Sequence, residues 1–229
     1  LFGIMPILLM LSMLTSAFNI QPAEANGTIY IRADGSIDPL TAPISSVDNI
    51  TYTLTGNINE SIIVEKDSIV VDGASFIVQG TGATGSVGID LSNRDNVTIK
   101  NTNIKSFYYG IWLKHSSGNT VSGNNITNND GDGIWLRYSS NNSIAGNNII
   151  ANNAWGILLY PSSSNNSIVG NTLTNNNYGI ELVHSSNNSI TENNITNNDG
   201  DGVDLGSSSN NNIVGNNITN NDGYGVDLR

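Results

Sequence analysis

The chain of 229 residues contains no cysteine, so disulfides and thiolate metal sites are excluded and the core must hold on packing and hydrogen bonds alone. Basic residues are also scarce: eight Lys and Arg against nineteen Asp and Glu leave a net charge of −11. So few cations do not form the basic face that a nucleic-acid backbone or an anionic membrane surface requires, and cations are the better-matched ligands. Histidine is confined to His115 and His184, and the three methionines, Met5, Met10 and Met13, all lie near the start. Copper asks for His, Cys or Met donors within one coordination sphere, and this chain is a poor source of them. Charged residues make up 12% of the chain, their places taken by Asn, Ser, Thr and Gly, a turn-rich β composition. No segment carries a 3.6-residue apolar period over a useful length, which excludes helical repeats.

What is present is a repeat. The pattern Gly-apolar-x-Leu returns every 23 residues at Ile111, Ile134, Ile157, Ile180, Val203 and Val226, with Leu113, Leu136, Leu159, Leu182, Leu205 and Leu228 in step. A unit of that size cannot bury an apolar face by itself, so the copies must stack into one continuous core. Within Asn142 to Asn165 three short strands are legible, at Ser143–Gly146, Asn148–Ile150 and Gly156–Leu159, separated by Ser/Asn and Asn/Asp/Gly turn clusters. Three strands per coil, each stacked on its counterpart in the next copy, predict an all-β fold. It is a right-handed, single-stranded parallel β-helix with coils of about 23 residues. Upstream the pattern is looser but visible at Ile89, Leu91, Ile99 and Ile104, and Ile62 and Val64 can begin the series.

Residues Leu1 to Ile20 carry no charge, and Ile7 to Leu14 form an apolar run ahead of Ala23-Glu24-Ala25, a small-x-small cleavage site. The predicted organisation is an export signal over 1–25, an N-terminal cap over 26–50 with Pro39 and Pro43, and β-helix repeats over 51–229. The alternative for the first segment is an uncleaved membrane anchor. The missing initial Met and the stop at Arg229 in mid-coil lead us to expect a fragment of a longer protein. One asparagine recurs three residues past the second strand's apolar position, at Asn129, Asn152, Asn176, Asn198 and Asn221. These are expected to stack as a hydrogen-bonded ladder at a left-handed corner.

The units Gly-Ile-x-Leu and Ser-Ser-Asn-Asn-Ser-Ile-x-Gly-Asn-Asn-Ile-Thr-Asn-Asn closely resemble the NosD-type β-helix of secreted archaeal and bacterial surface proteins. The opening segment Gly27 to Ser36, with Val70-Val71-Asp72-Gly73-Ala74, is similar to the start of archaeal members. The resemblance implies a secreted, cell-surface or periplasmic β-helix. It also implies the copper-assembly role of the family's named member, which the donor inventory opposes. The same coil serves pectate lyases, alginate epimerases, adhesins and surface layers, so the likeness specifies fold far better than activity.

Chemistry is read from the outward position inside Gly-Ile-x-Leu, where successive coils place Asp90, Trp112, Trp135, Leu158, Glu181, Asp204 and Asp227. The aromatic end, with Trp112, Trp135, Trp155, Tyr138 and Tyr160 beside Lys114 and Arg137, suits an acidic or neutral glycan. The plain alternative is that the tryptophans pack under a flanking loop or domain. At the acidic end Asp201, Asp204 and Asp227 can form a weak Ca²⁺ site, the alternative being a solvated acidic face. His115 and His184 share a column three coils apart, too far to share an ion. No cofactor is required by this reading, calcium is the candidate ion, and copper is not expected. The function expected is a non-catalytic surface module binding extracellular polysaccharide or an envelope component, with no nucleic-acid partner and no membrane contact once the signal is removed. The second reading is a polysaccharide lyase or uronate epimerase, with Lys114 or Arg137 as base and Asp132 nearby.

Overall fold

A computed structural model of the protein describes residues 27–229. The export signal expected over 1–25, with Met5, Met10 and Met13, lies outside the described residues. The rest winds as a parallel β-helix with three sheets of ten, nine and seven strands. In the first sheet Tyr109–Lys114, Ile134–Arg137, Trp155–Leu159, Tyr178–Val183, Val203–Gly206 and Val226–Leu228 lie parallel in sequence order. Their register keeps Ile on Ile and Leu on Leu: Ile111, Ile134, Ile157, Ile180, Val203 and Val226 form one column. Residues Ile29–Ile31 already join this sheet parallel to Ile62–Val64, and the short strands Ile37–Asp38 and Ile44–Ser45 close antiparallel at its and the second sheet's edge.

The inward columns explain why the repeat is strict. Ile111, Leu113, Val121, Ile126, Ile134, Leu136, Ile144, Ile149, Ile157 and Leu159 are all fully buried in one continuous core. Each side chain stacks on a like neighbour one coil away, about 4.8 Å along the axis.

The corners are held by amides, and by more of them than the sequence suggests. The predicted ladder is present: the amide nitrogen of Asn129 donates to Asn152, Asn152 to Asn176, Asn176 to Asn198 and Asn198 to Asn221, at 2.8–3.1 Å. A second runs through Asn119, Asn142, Asn166, Asn188 and Asn211, and a third through Asn124, Asn147, Asn171, Asn193 and Asn216. A serine ladder, Ser116, Ser139, Ser163, Ser185 and Ser208, turns a further corner. The left-handed backbone expected at the ladder asparagines falls one residue earlier, at Asn128, Ala151, Asn175, Asn197 and Asn220, with φ of 53–57°. The more exposed residue of each pair takes the unusual backbone, and its more buried neighbour spends its side chain on hydrogen bonds.

From Ile111 onward the 23-residue step holds along the first sheet but slips at the turns. Ser139 and Ser163 are 24 residues apart whereas Ser163 and Ser185 are 22 apart. The extra residue sits in the turn Tyr160-Pro161-Ser162, because Leu136, Leu159 and Leu182 stay in register.

Two outcomes are expected in urea unfolding. Ile157→Asp buries an unpaired carboxylate and should abolish the cooperative transition of the neighbouring coils. Asn147→Ala removes an amide that donates to Asn171 and to the Val121 carbonyl and accepts from both nitrogens of Asn124. At about 1–3 kcal/mol for each orphaned buried group, it should cost more than about 3 kcal/mol, while exposed Asn153→Ala costs almost nothing.

Candidate functional site

With the interior given to Ile, Leu and amides, the outer face of the first sheet is where the coils differ. The outward column there reads Asp90, Trp112, Trp135, Leu158, Glu181, Asp204 and Asp227, as the spacing predicts. Beside it runs a second column in which Trp155 stands between Asp132 and Tyr178, stacked on Tyr178 at 5.5 Å. A third carries Lys114 against Arg137, with Tyr160 on the next coil.

Trp112 and Trp135 stack on each other, centroids 4.9 Å apart and planes 17° from parallel, and Tyr109 leans on both at 5.2 and 4.9 Å. They are not the open flat faces that the sequence suggests. Both are half-buried, part of each face covers its neighbour, and both Nε1 atoms are buried without a partner. The Lys114 ammonium lies 5.9 Å from the Trp112 ring, and the Arg137 guanidinium 5.8 Å from Trp135 and 5.4 Å from Tyr138. Tyr138 stacks on His115 at 4.9 Å, and Tyr138 and Tyr160 are each 42% exposed. The structure therefore brings Trp112, Trp135, Lys114, Arg137 and Tyr138 together. Trp155 belongs to a separate stack, and buried Leu158 separates the tryptophan pair from Glu181. The in-register leucines place His115 and His184 three coils apart.

At the other end Asp201, Asp204 and Asp227 offer oxygens within 4.8 Å of one another. The Arg229 guanidinium lies among them, 3.4 Å from Asp201, 2.6 Å from Asp227 and paired with Asp204. The face is neither a bare calcium cradle nor a freely solvated acidic strip: Asp204 is 7% exposed, and a calcium ion would have to displace the guanidinium. The reach of Arg229 over three acids is set by the fold and has no signature in the repeat.

Two carboxyls on this face, Asp132 and Glu181, have the largest pKa shifts. Burial pushes the Asp132 carboxyl from 3.8 up to about 7 against one stabilising hydrogen bond from the Trp155 amide, with Glu181 adding repulsion. Burial, then the charge of Asp204, raises Glu181 from 4.5 to about 7, with Arg229 pulling the other way. Asp132 was legible as an acid near the aromatic residues, but its burial depends on Tyr109 and Trp155 bracketing it on adjacent coils, which needs the two-dimensional register.

The family described as right handed beta helix region matches residues 45–195 and, in a second overlapping match, 162–229. The chain belongs to this right-handed β-helix family. Among solved structures it is similar to a periplasmic alginate epimerase, at 21% identity and a TM-score of 0.57 over 78% of this chain and 48% of that one. It is also similar to tailspike protein 2 of an Escherichia coli bacteriophage, at 17% identity and a TM-score of 0.52 over 68% of this chain and 26% of the other. That tailspike's enzymatically active domain gives 17% identity and 0.52 over 71% and 34%. At these identities the likeness is one of fold, and the chain spans less than half the length of each. No curated protein sequence matches the chain significantly. Among the described residues no helix is long and apolar enough to cross a membrane.

The two raised carboxyls give stability a definite pH slope. Between their unfolded values near 4 and their folded values near 7 the folded state binds more protons, so the stability they contribute is complete below about pH 4 and is lost as the pH rises through 7. Asp132→Asn keeps an acceptor for the Trp155 amide and removes the titration. It should raise stability at pH 8 by about 2 kcal/mol and flatten the slope between pH 5 and 8 in melting curves taken across that range.

Proposed function

We propose that the protein is an extracytoplasmic surface module that binds polysaccharide on the outer face of its first sheet, through Trp112 and Trp135 with Lys114, Arg137, Tyr138 and Tyr160. The observation that carries this reading is the Trp112–Trp135 stack on a face whose coil does not need it: the column position tolerates Asp90, Leu158 or Glu181 equally well. A pair of indoles held at coil spacing is close to the advance of one sugar ring, and aromatic surface of this kind gives a pyranose its apolar contact. The fold's occurrence in proteins named for alginate epimerisation and in phage tailspikes favours a glycan over other ligands.

A second reading, a lyase or epimerase, is favoured by Asp132 and Glu181, which titrate near neutrality where proton transfer is most effective. Copper assembly, the role that the NosD-type resemblance implies, has little to draw on. Among the described residues there is no Cys or Met, and the two histidines lie three coils apart.

Retention of the protein on immobilised polysaccharides tests the binding reading. Trp112→Ala with Trp135→Ala should reduce retention on the cognate glycan at least tenfold, an effect of the size expected for losing a central aromatic pair. Incubating the same glycans with the protein while following new reducing ends and ultraviolet-absorbing unsaturated products decides between binder and enzyme: accumulating product identifies the enzyme, and retained, unchanged polymer the binder.

A further inference from the structure

Among the described residues four buried side-chain nitrogen or oxygen atoms have no hydrogen-bond partner, and three of them are N–H donors in one place: Nε1 of Trp112, Nε1 of Trp135 and Nε of Arg137. Buried donors are ordinarily satisfied, and each one left alone costs free energy comparable to a lost hydrogen bond. The same two strands carry a second anomaly. Lys114 and Arg137 stand directly in register, two like charges on adjacent strands, and among the described residues neither makes an ion pair with a carboxylate. Four of the eight basic residues, Arg32, Arg94, Lys100 and Arg229, are paired with acids; of the four without such a partner among the described residues, Lys66, Lys105, Lys114 and Arg137, only the last two face each other in strand register. A third irregularity borders the pair: the one-residue expansion of the turn at Tyr160-Pro161-Ser162 lies on the coil after Arg137. Departures from local regularity gather at functional sites.

Orphan donors, unpaired cations and aromatic rings on two adjacent coils ask for one kind of partner, an oxyanion attached to a ring that can lie against an indole. Resting on the polysaccharide reading and sharpening it, we infer that the Trp112–Trp135–Arg137–Lys114 patch is a receptor for the anionic group of an acidic sugar, a uronate carboxylate or a sulfate ester. The oxyanion would accept from the guanidinium and from the indole N–H groups once the overlying side chains shift, and the ammonium of Lys114 would add charge without directional demand. Two acids border the patch: Asp90, in register with Trp112, has one carboxylate oxygen taken by the backbone N–H and hydroxyl of Ser92, and Asp132 is 4% exposed and accepts from the Trp155 amide. The Asp132 carboxyl, raised to about 7, carries a reduced charge at neutral pH and competes little with an incoming anion.

The geometry also limits the ligand's length. Asp90 precedes Trp112, and Leu158, Glu181, Asp204 and Asp227 follow Trp135, along the same column, so a polyanion laid along the axis would meet a carboxylate one coil before the pair and others from two coils, roughly 10 Å, after it. An acidic chain must therefore cross the coils along the strands or end at the patch. Short oligosaccharides should accordingly bind as tightly, per site, as the polymer.

The test uses the full chain with polygalacturonate, alginate, dextran sulfate and neutral dextran, and with short oligogalacturonides, measured by retention and by the ¹H–¹⁵N signals of the indoles. Retention on at least one acidic polymer is expected, with oligomers competing at equal concentration of sites. The Trp112 and Trp135 indole signals should move, and Trp155 serves as the unperturbed reference. Lys114→Gln with Arg137→Gln should weaken retention at least tenfold, and Lys105→Gln, on the third sheet, should not. Trp112→Phe with Trp135→Phe, which keeps rings and drops donors, should weaken it several-fold, with melting curves confirming that each variant is folded. Equal retention on dextran, or retention indifferent to the Lys114 and Arg137 changes, overturns the anion assignment and leaves polysaccharide binding standing. Retention on none of the polymers overturns both.

Discussion

From Asn119 onward the corners of this molecule depend on side-chain amides that hydrogen-bond to their own copies one coil away, joined by one column of serines. A parallel β-helix must turn its chain three times per coil, and each turn drives backbone donors and acceptors inward where water is excluded. Asn124, Asn147 and Asn171 show the solution. One amide oxygen takes the backbone and side-chain N–H of the coil on one side, and one amide nitrogen serves the backbone carbonyl and side-chain oxygen that would otherwise be stranded. An unsatisfied buried group costs more than a satisfied one contributes, so the ladder is better understood as the avoidance of a penalty repeated at each corner than as a sum of attractions.

That arrangement separates the work of folding from the work of recognition. From the coil of Ile111 onward the apolar inward columns are confined to Ile, Leu and Val, and the ladder positions at the corners to Asn and Ser. Outward columns are answerable to neither, so Asp90, Trp112, Leu158 and Glu181 can succeed one another at a single position. The first sheet then becomes a row of independent sites in which adjacent coils can carry opposite chemistries. Its aromatic, basic end and its acidic end are separated by little more than one buried leucine.

The one-dimensional pattern made the fold legible because its determinant is itself one-dimensional: the period of Ile111, Ile134 and Ile157 reports the stacking directly. One ladder of asparagines was visible for the same reason. The other two were hidden among the many Asn-Asn pairs, where sequence does not say which member turns inward and which takes the positive φ, as Asn141 and Asn142 illustrate. The site was less legible, because its character comes from neighbours across coils. Trp135 is partly covered by Trp112, Asp132 is buried beneath neighbours on adjacent coils, and Arg229 reaches back over three acids. None of these relations is a spacing.

The ladders and sheets share one direction: nearly all their hydrogen bonds run parallel to the long axis, while the covalent chain winds across it. The molecule is thus mechanically anisotropic. A pull applied along the strands, the direction in which a ligand crossing the coils would tug, is borne by peptide bonds and by whole sheets in shear. A pull along the axis is met by a single coil's hydrogen bonds at a time, so the chain would yield by peeling from an end, one turn after another.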